Sequence, residues 1–231
     1  MADSAGMTAG TTQRPGAQEW VPAGAGIDQL RAAAPDCRGC ELYRPATQVV
    51  FSAGSPTARL ALVGEQPGDA EDRAGEPFVG PAGRLLDRAL ADAGIDRADA
   101  YVTNAVKHFR FTPTAKRRLH QTPDLAHLVA CRPWLTAELA VVDPEVVVCL
   151  GASAARSLLG PSFRVTRQRG QLIPRQPSPP SDGDVSAVRS GWLMGTIHPS
   201  AVLRAPRREA HDAAYAGLVD DLRIAAAALS A

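Results

Sequence analysis

Apolar and polar positions along this 231-residue chain follow two different periods. Short, nearly unbroken apolar runs predict strands at residues 58–64 (Ala-Arg-Leu-Ala-Leu-Val-Gly), 100–106, 144–151, 171–173 and 192–197. Helical spacing fills the gaps. Leu85, Leu86, Ala89, Leu90 and Ala93 lie on one face of a helix over 81–93 that stops at Gly94, and further helices are predicted near Ile27 and over 124–142, 152–159 and 208–229. Residues 1–26, rich in Ala, Gly, Thr and Ser without apolar period, are expected to form a disordered tail. Residues 174–190, rich in Pro, Ser and Asp, are expected to form a mobile insert in a domain spanning 27–231. Strands alternating with helices predict a single α/β domain, three layers deep (α/β/α), around a central, mostly parallel sheet. Such sheets bind ligands beyond the carboxyl ends of their strands, which directs attention to the loops after Val63, Val106 and Ile197.

Composition narrows the class. With 45% apolar and 21% charged residues the chain is neither collagen-like nor largely disordered. Lys+Arg 25 against Asp+Glu 24 gives a net charge of +1, so an anionic partner must be met by a local patch. No run of about 18 consecutive apolar residues is present, and the N-terminus lacks the pattern of a secretion signal. A cytoplasmic monomer without membrane contact is expected.

Four segments carry candidate chemistry. Cys37 and Cys40 form a C-x2-C turn, and Cys131 and Cys149 complete a set of four. Either of the latter alone reads as a core residue. Together the four read as a metal site, for which zinc and a [4Fe–4S] cluster both fit by ligand type. Gly64-Glu-Gln-Pro-Gly-Asp69 follows a strand, and its glycines allow close approach to a ligand. Its acids, Glu65 and Asp69 among them, exclude a phosphate loop. Phe78, between glycines, offers either a core plug or a flat surface on which a base can stack. No acid lies between Asp99 and Asp124, a window containing Lys107, His108, Arg110, Lys116, Arg117, Arg118 and His120 with Phe109 and Phe111 interleaved, which suits a phosphate backbone. His120 is a competent nucleophile near neutrality if its ring is uncharged, and His198, held extended before Pro199, aims into a cleft at a strand end.

Gly64-Glu-Gln-Pro-Gly68, Glu76-Pro-Phe-Val-Gly80, Val102-Thr-Asn-Ala-Val-Lys107 and His198-Pro-Ser200 together resemble the iron–sulfur (family-4) uracil-DNA glycosylases over about residues 35–225. Gln66, where the family usually has Ala, and the inserted basic loop ending Lys-Arg-Arg-Leu-His120 resemble the UdgX branch, which links covalently to uracil-containing DNA; Leu119 stands where that branch has Ile. The resemblance implies a [4Fe–4S] cluster on Cys37, Cys40, Cys131 and Cys149. It implies that Phe78 stacks on uracil, that the Asn104 amide reads its O4 and N3–H edge, and that the Gln66 loop with Asp69 nearby holds the base. His198 would donate to uracil O2 as the anion forms. Lys107, Lys116, Arg117, Arg118 and Ser200 would meet the DNA, preferably single-stranded. His120 would capture C1′, with Glu65 accepting the proton its ring sheds and Arg118 positioning the loop. Two other readings remain: a multiple-turnover family-4 enzyme whose basic loop only clamps DNA, and a zinc-stabilised nucleic-acid-binding module without catalysis.

Overall fold

Three strands with every residue buried, Leu60–Gly64, Ala100–Asn104 and Val146–Leu150, form the centre of the molecule. The computed structural model describes residues 14–175 and 191–230. In chain order the elements are α1 (Ile27–Ala33), β1 (Ser52–Ala53), β2 (Leu60–Gly64), α2 (Asp69–Ala74), α3 (Pro81–Asp92), β3 (Ala100–Asn104), β4 (Phe111–Pro113), β5 (Arg118–His120), α4 (Leu125–Val142), β6 (Val146–Leu150), α5 (Ala152–Leu159), α6 (Val165–Gln168), β7 (Ile173–Arg175), β8 (Gly191–Thr196), α7 (Pro199–Leu203) and α8 (Arg208–Leu229). The main sheet runs β1-β3-β2-β6-β8-β7, with β3, β2, β6 and β8 parallel and the two edge strands antiparallel. Successive side chains point to opposite faces. Ala61, Val63, Tyr101, Val147 and Cys149 pack with α1, α4 and α5 on one side, while Leu60, Leu62, Val102, Val146, Val148 and Met194 pack with α3 and α8 on the other. The three-layer α/β/α expectation is met.

Several expectations are corrected. Residues 14–26 are not a tail. Arg14 pairs with Glu41 at 2.7 Å and Asp124 at 3.0 Å, and the buried Ala17 donates its N–H to the Ala130 carbonyl at 2.8 Å. Pro174 and Arg175, assigned to the insert, extend β7, which pairs with β8; residues 1–13 and 176–190 lie outside the described residues. By length and composition α4 would pass as membrane-spanning, although no uninterrupted apolar run predicted such a helix; half of it is buried in the core. The basic window is not one loop, because it contains the β4–β5 hairpin, with Phe111 opposite His120 and Pro113 opposite Arg118.

Lys107, expected at the DNA backbone, is buried between the sheet and α4. Its Nζ meets the Glu138 carboxylate and donates to Thr103 Oγ1 at 2.7 Å and to the Asn104 carbonyl at 3.0 Å. Glu138 Oε1 accepts from Tyr101 Oη at 2.8 Å and Thr103 Oγ1 at 2.9 Å. A charge this deep is tolerated only when paired and hydrogen-bonded, so Lys107 is unavailable to a phosphate. Glu138→Ala, which strands the lysine, is expected to lower the unfolding free energy by about 3–5 kcal/mol in chemical denaturation, while the double change Lys107→Met with Glu138→Leu costs clearly less. A single variant as stable as the parent would show that the pair is not buried.

Candidate active site and cysteine pocket

The carboxyl ends of β2, β3, β6 and β8 open onto one cleft of about 900 Å3, lined among others by Glu65, Gln66, Phe78, Asn104, His120, Ser153, His198 and Ser200, with Arg156 and Arg204 on the same wall. Parallel register makes these ends level: Gly64 lies opposite Asn104, and Leu150 opposite Thr196. Asn104 Oδ1 is buried and has no hydrogen-bond partner among the described residues. An orphaned amide oxygen of this kind is costly unless a ligand supplies a donor. Phe78, at φ +60°, lies beside it. A side chain on Gly64 would overlap Asn104 Oδ1 and come within 2.7 Å of Phe78 Cζ, so only glycine leaves this wall open. Glu71 fixes the two loops that bracket Phe78, accepting from the Gly68 N–H at 3.0 Å and the Gly80 N–H at 2.7 Å.

His198 faces the Phe78 ring at a centroid distance of 6.0 Å, with the planes 29° apart. Its Nδ1 accepts the Ser200 N–H at 3.1 Å, which leaves Nε2 to carry the proton. Burial pushes the ring's pKa down to about 4, so it is a neutral donor at physiological pH.

The hairpin lays His120 over the cleft. Gln66 Oε1 accepts the Arg110 N–H at 2.9 Å, which orients the amide. Gln66 Nε2 then faces His120 Nε2 at 2.9 Å, the Gln121 carbonyl at 3.0 Å and the Arg110 carbonyl at 3.2 Å. An amide N–H pointing at Nε2 places the lone pair there and the ring proton on Nδ1. Glu65 Oε1 lies 3.5 Å from the same Nε2, and Glu65 Oε2 accepts from Ser153 Oγ. Burial and Arg204 lower the His120 pKa against the opposing pull of Glu65.

Arg118, expected at the DNA, is half-buried and already paired within the protein. It pairs with Asp69, with the buried Asp72 at 2.6 Å, and with Thr47 Oγ1 at 3.0 Å, and its guanidinium lies over Phe109 and Phe111. Asp69, expected near the base, is taken up by Arg118 and Arg73 instead and is absent from the cleft wall. Lys116 and Arg117 are exposed at the hairpin tip, between Thr114 and Arg118. Ser200 Oγ sits 2.9 Å from His198 Nδ1 and accepts from Arg204 at 3.0 Å.

Residues 51–223 match the family model described as the uracil DNA glycosylase superfamily. The chain belongs to that superfamily. It is 35% identical over 174 residues to the "Type-4 uracil-DNA glycosylase" of Thermotoga maritima, covering 73% of this chain and 78% of the relative. It is 36% identical over 197 residues to the protein of that name from Archaeoglobus fulgidus, covering 82% and 89% respectively. The corresponding protein of Pyrobaculum aerophilum is 31% identical over 180 residues, covering 78% and 86%.

In this superfamily member the cysteines divide three to one. Cys37, Cys40 and Cys131 line a second, small pocket together with His108, Trp134, Lys107 and small residues such as Ala17 and Gly39. Trp134 Nε1–H points at Cys37 Sγ (3.3 Å) and the Lys107 N–H at Cys131 Sγ (3.4 Å). Burial pushes the Cys40 thiol to about 11 and the Cys131 thiol to about 12, with Cys37 adding to the rise at both. Cys149 is the correction. It stands in mid-strand opposite Val63 and Gly195, is absent from the pocket wall, and its thiol is raised to about 12 by burial alone. Its count with the other three was misleading, and it is a core residue. Among the described residues no three Cys, His, Asp or Glu side chains converge closely enough to bind a single metal ion. Sequence reasoning placed His108 with the basic window rather than with the cysteines, and gave no role to Ser153 or Arg204 at the cleft. Only the position of His108, directly after Lys107 at the end of a strand-loop segment, offered a signal.

The depressed His198 pKa has a definite sign. A histidine that is harder to protonate when folded stabilises the fold above its unfolded pKa, and that contribution is lost as pH falls through the folded value. Unfolding free energy should therefore decline between about pH 6.5 and about pH 4, and the His198 ring should remain neutral in NMR titrations until near the lower limit. A ring that titrates near 6.5 would contradict the desolvation that the cleft wall imposes on it.

Proposed function

We propose that the protein is a uracil-DNA glycosylase that becomes covalently joined to the abasic sugar through His120. The names of its relatives supply the activity, and the single observation that carries the covalent step is His120 Nε2 held by Gln66 at 2.9 Å, over the cleft and beside Glu65. In the reading we favour, a flipped or single-stranded uracil stacks on Phe78 and pairs its N3–H with the orphaned Asn104 Oδ1, the amide N–H2 meeting O4. Cytosine, with a lone pair at N3 and an amine at position 4, would present the wrong polarity. His198 Nε2–H donates to O2 as the C1′–N1 bond breaks and its electron pair leaves with the base. The Nε2 lone pair of His120 then bonds to C1′. Glu65 compensates the charge on the alkylated ring, the Nδ1 proton passes to solvent, and the uracil anion takes up a proton from solvent. Because Glu65 faces Nε2, this assignment replaces the expected role of proton acceptor with one of charge compensation. A nucleophile fixed at the reacting carbon has an effective concentration far above that of a diffusing group.

Lys116 and Arg117 at the hairpin tip and Arg156 and Arg204 on the cleft wall supply the cations for the DNA backbone on either side of the base. The cysteine pocket fits a polynuclear iron–sulfur cluster better than zinc. A zinc ion needs four donors about 2.0–2.3 Å from one point, whereas these donors surround a cavity without converging. Cys37, Cys40 and Cys131 would hold the cluster, whose contribution is to tie the N-terminal segment to α4.

Incubation with uracil-containing single-stranded DNA, followed by a denaturing gel, is expected to give a stoichiometric shifted band that His120→Ser abolishes. Release of uracil in excess over protein, without a band, would select the multiple-turnover reading. His198→Ala is expected to slow single-turnover uracil release by about 10²–10³-fold, the usual cost of losing one donor to a developing oxyanion. Gly64→Ala should abolish uracil binding while leaving the circular dichroism spectrum unchanged.

A further inference from the structure

We infer that Ser153 positions the Glu65 carboxylate, and that this contact decides whether His120 or water bonds to the sugar. The inference rests on the covalent reading proposed above and adds the residue that sets the outcome of the capture step. Ser153 is buried in the first turn of α5 and lines the cleft. Its Oγ donates to Glu65 Oε2, while Glu65 Oε1 lies 3.5 Å from His120 Nε2. One carboxylate thus divides its two oxygens between a fixed donor and the nucleophile. Among the described residues, no other side chain donates a hydrogen bond to Glu65.

The backbone brings the two residues together from neighbouring strands. β2 and β6 are parallel, with Val63 opposite Cys149, so the segments carrying Glu65 and Ser153 leave the sheet at one level. Gly151, at φ +92° with its N–H on the Thr196 carbonyl at 2.8 Å, turns the chain from β6 into α5. Ser153 is therefore anchored on a helix rather than on a free loop, which suits it to hold another side chain in place. Without its hydroxyl the carboxylate can rotate and accept a proton from water. A water oxygen then bonds to C1′, its proton passes to Glu65, and the product is a free abasic sugar. With Oε2 occupied and Oε1 turned to Nε2, the carboxylate instead favours the imidazole, whose positive charge after alkylation it balances.

Single-turnover reactions of the full chain with uracil-containing single-stranded DNA, scored for both SDS-resistant adduct and free abasic sites, read this partition directly. Ser153→Ala is expected to lower the ratio of adduct to abasic product about tenfold, in keeping with one hydrogen bond to a charged group. Ser153→Thr, which keeps the hydroxyl, should restore the ratio. Glu65→Gln alone and Glu65→Gln combined with Ser153→Ala should give the same ratio, because the serine acts only through the carboxylate. A merely structural role for Ser153 would slow uracil release and capture together and leave their ratio unmoved. An unmoved ratio in Ser153→Ala, or a further fall when that change is added to Glu65→Gln, would overturn the inference alone. A parent that turns over without any adduct would overturn the covalent reading, and the inference with it.

Discussion

Asp72 is a carboxylate with no exposed surface, and a charge in that position survives only because Arg118 crosses from the hairpin to meet it. The two N–H···O contacts from Thr47, at 3.0 and 3.1 Å, satisfy part of its hydrogen-bonding capacity but none of its charge. The hairpin is therefore not free to swing away, since withdrawing Arg118 would leave Asp72 buried and uncompensated. β5 has only three residues, and strand geometry sends alternate side chains to the same side. Arg118 and His120 accordingly share a face, the guanidinium and the imidazole both lying against Phe109, at 5.4 and 6.0 Å. The ion pair that neutralises Asp72 is thus also what sets the position of the histidine two residues on. Gln66 completes the fixation from the opposite loop, exchanging two hydrogen bonds with Arg110, the residue that leads into the hairpin.

The rest of the cleft follows from the parallel sheet. Four strands in register end at one level, and each contributes what its last residue or following loop can supply: a bare glycine and two polar residues after β2, an amide at the end of β3, a glycine after β6, a histidine after β8. Rigid strand ends hold such groups more accurately than a free loop could. One departure from relaxed backbone and one close contact serve the same end. Phe78 adopts a left-handed conformation, and α3 lies so close to its carbonyl that a side chain on Gly83 would overlap it. That crowding fixes the ring where it faces His198, a strained arrangement that the packing of α3 maintains.

The parallel core was legible because buried strands must be apolar on both faces, and the long helices because their apolar residues recur on one side. The residues at strand ends, Asn104 and His198, stood out as polar groups terminating apolar runs. Burial driven by distant partners was not legible. Lys107 lies in a run of cations that reads as solvated, and nothing local reveals that Glu138, facing the sheet from α4, will draw it inward. Phe109 and Phe111, interleaved with the cations of the basic window, stack on one another at 5.0 Å under Arg118. The β4–β5 hairpin has no alternating apolar pattern, being held by Gln66, Asp69 and Asp72 rather than by a buried face. Counting cysteines gave Cys149 a partnership that its place in mid-strand denies, while His108, counted with the cations of the basic window, lines the pocket of the other three.

The electrostatics of the two cleft histidines bear on why the proposed chemistry would suit neutral rings. Cleavage of the glycosidic bond develops negative charge on the base and positive charge on the sugar at the same time. An imidazolium at position 198 would stabilise the first but repel the second, whereas a neutral Nε2–H stabilises the base without opposing the sugar. At position 120 the need is a lone pair, which protonation would remove. Burial lowers both pKa values, and Arg204 lowers both further. Glu65 acts in the opposite direction at His120 alone. Before bond formation its pull is outweighed, and the ring stays nucleophilic. Once Nε2 is alkylated the ring is cationic, and the same carboxylate, 3.5 Å away, becomes a stabilising partner that Arg204 can no longer prevent. In the proposed capture, opposing fields on one imidazole would therefore serve successive stages, with His120 held where Asp72 and Arg118 place it.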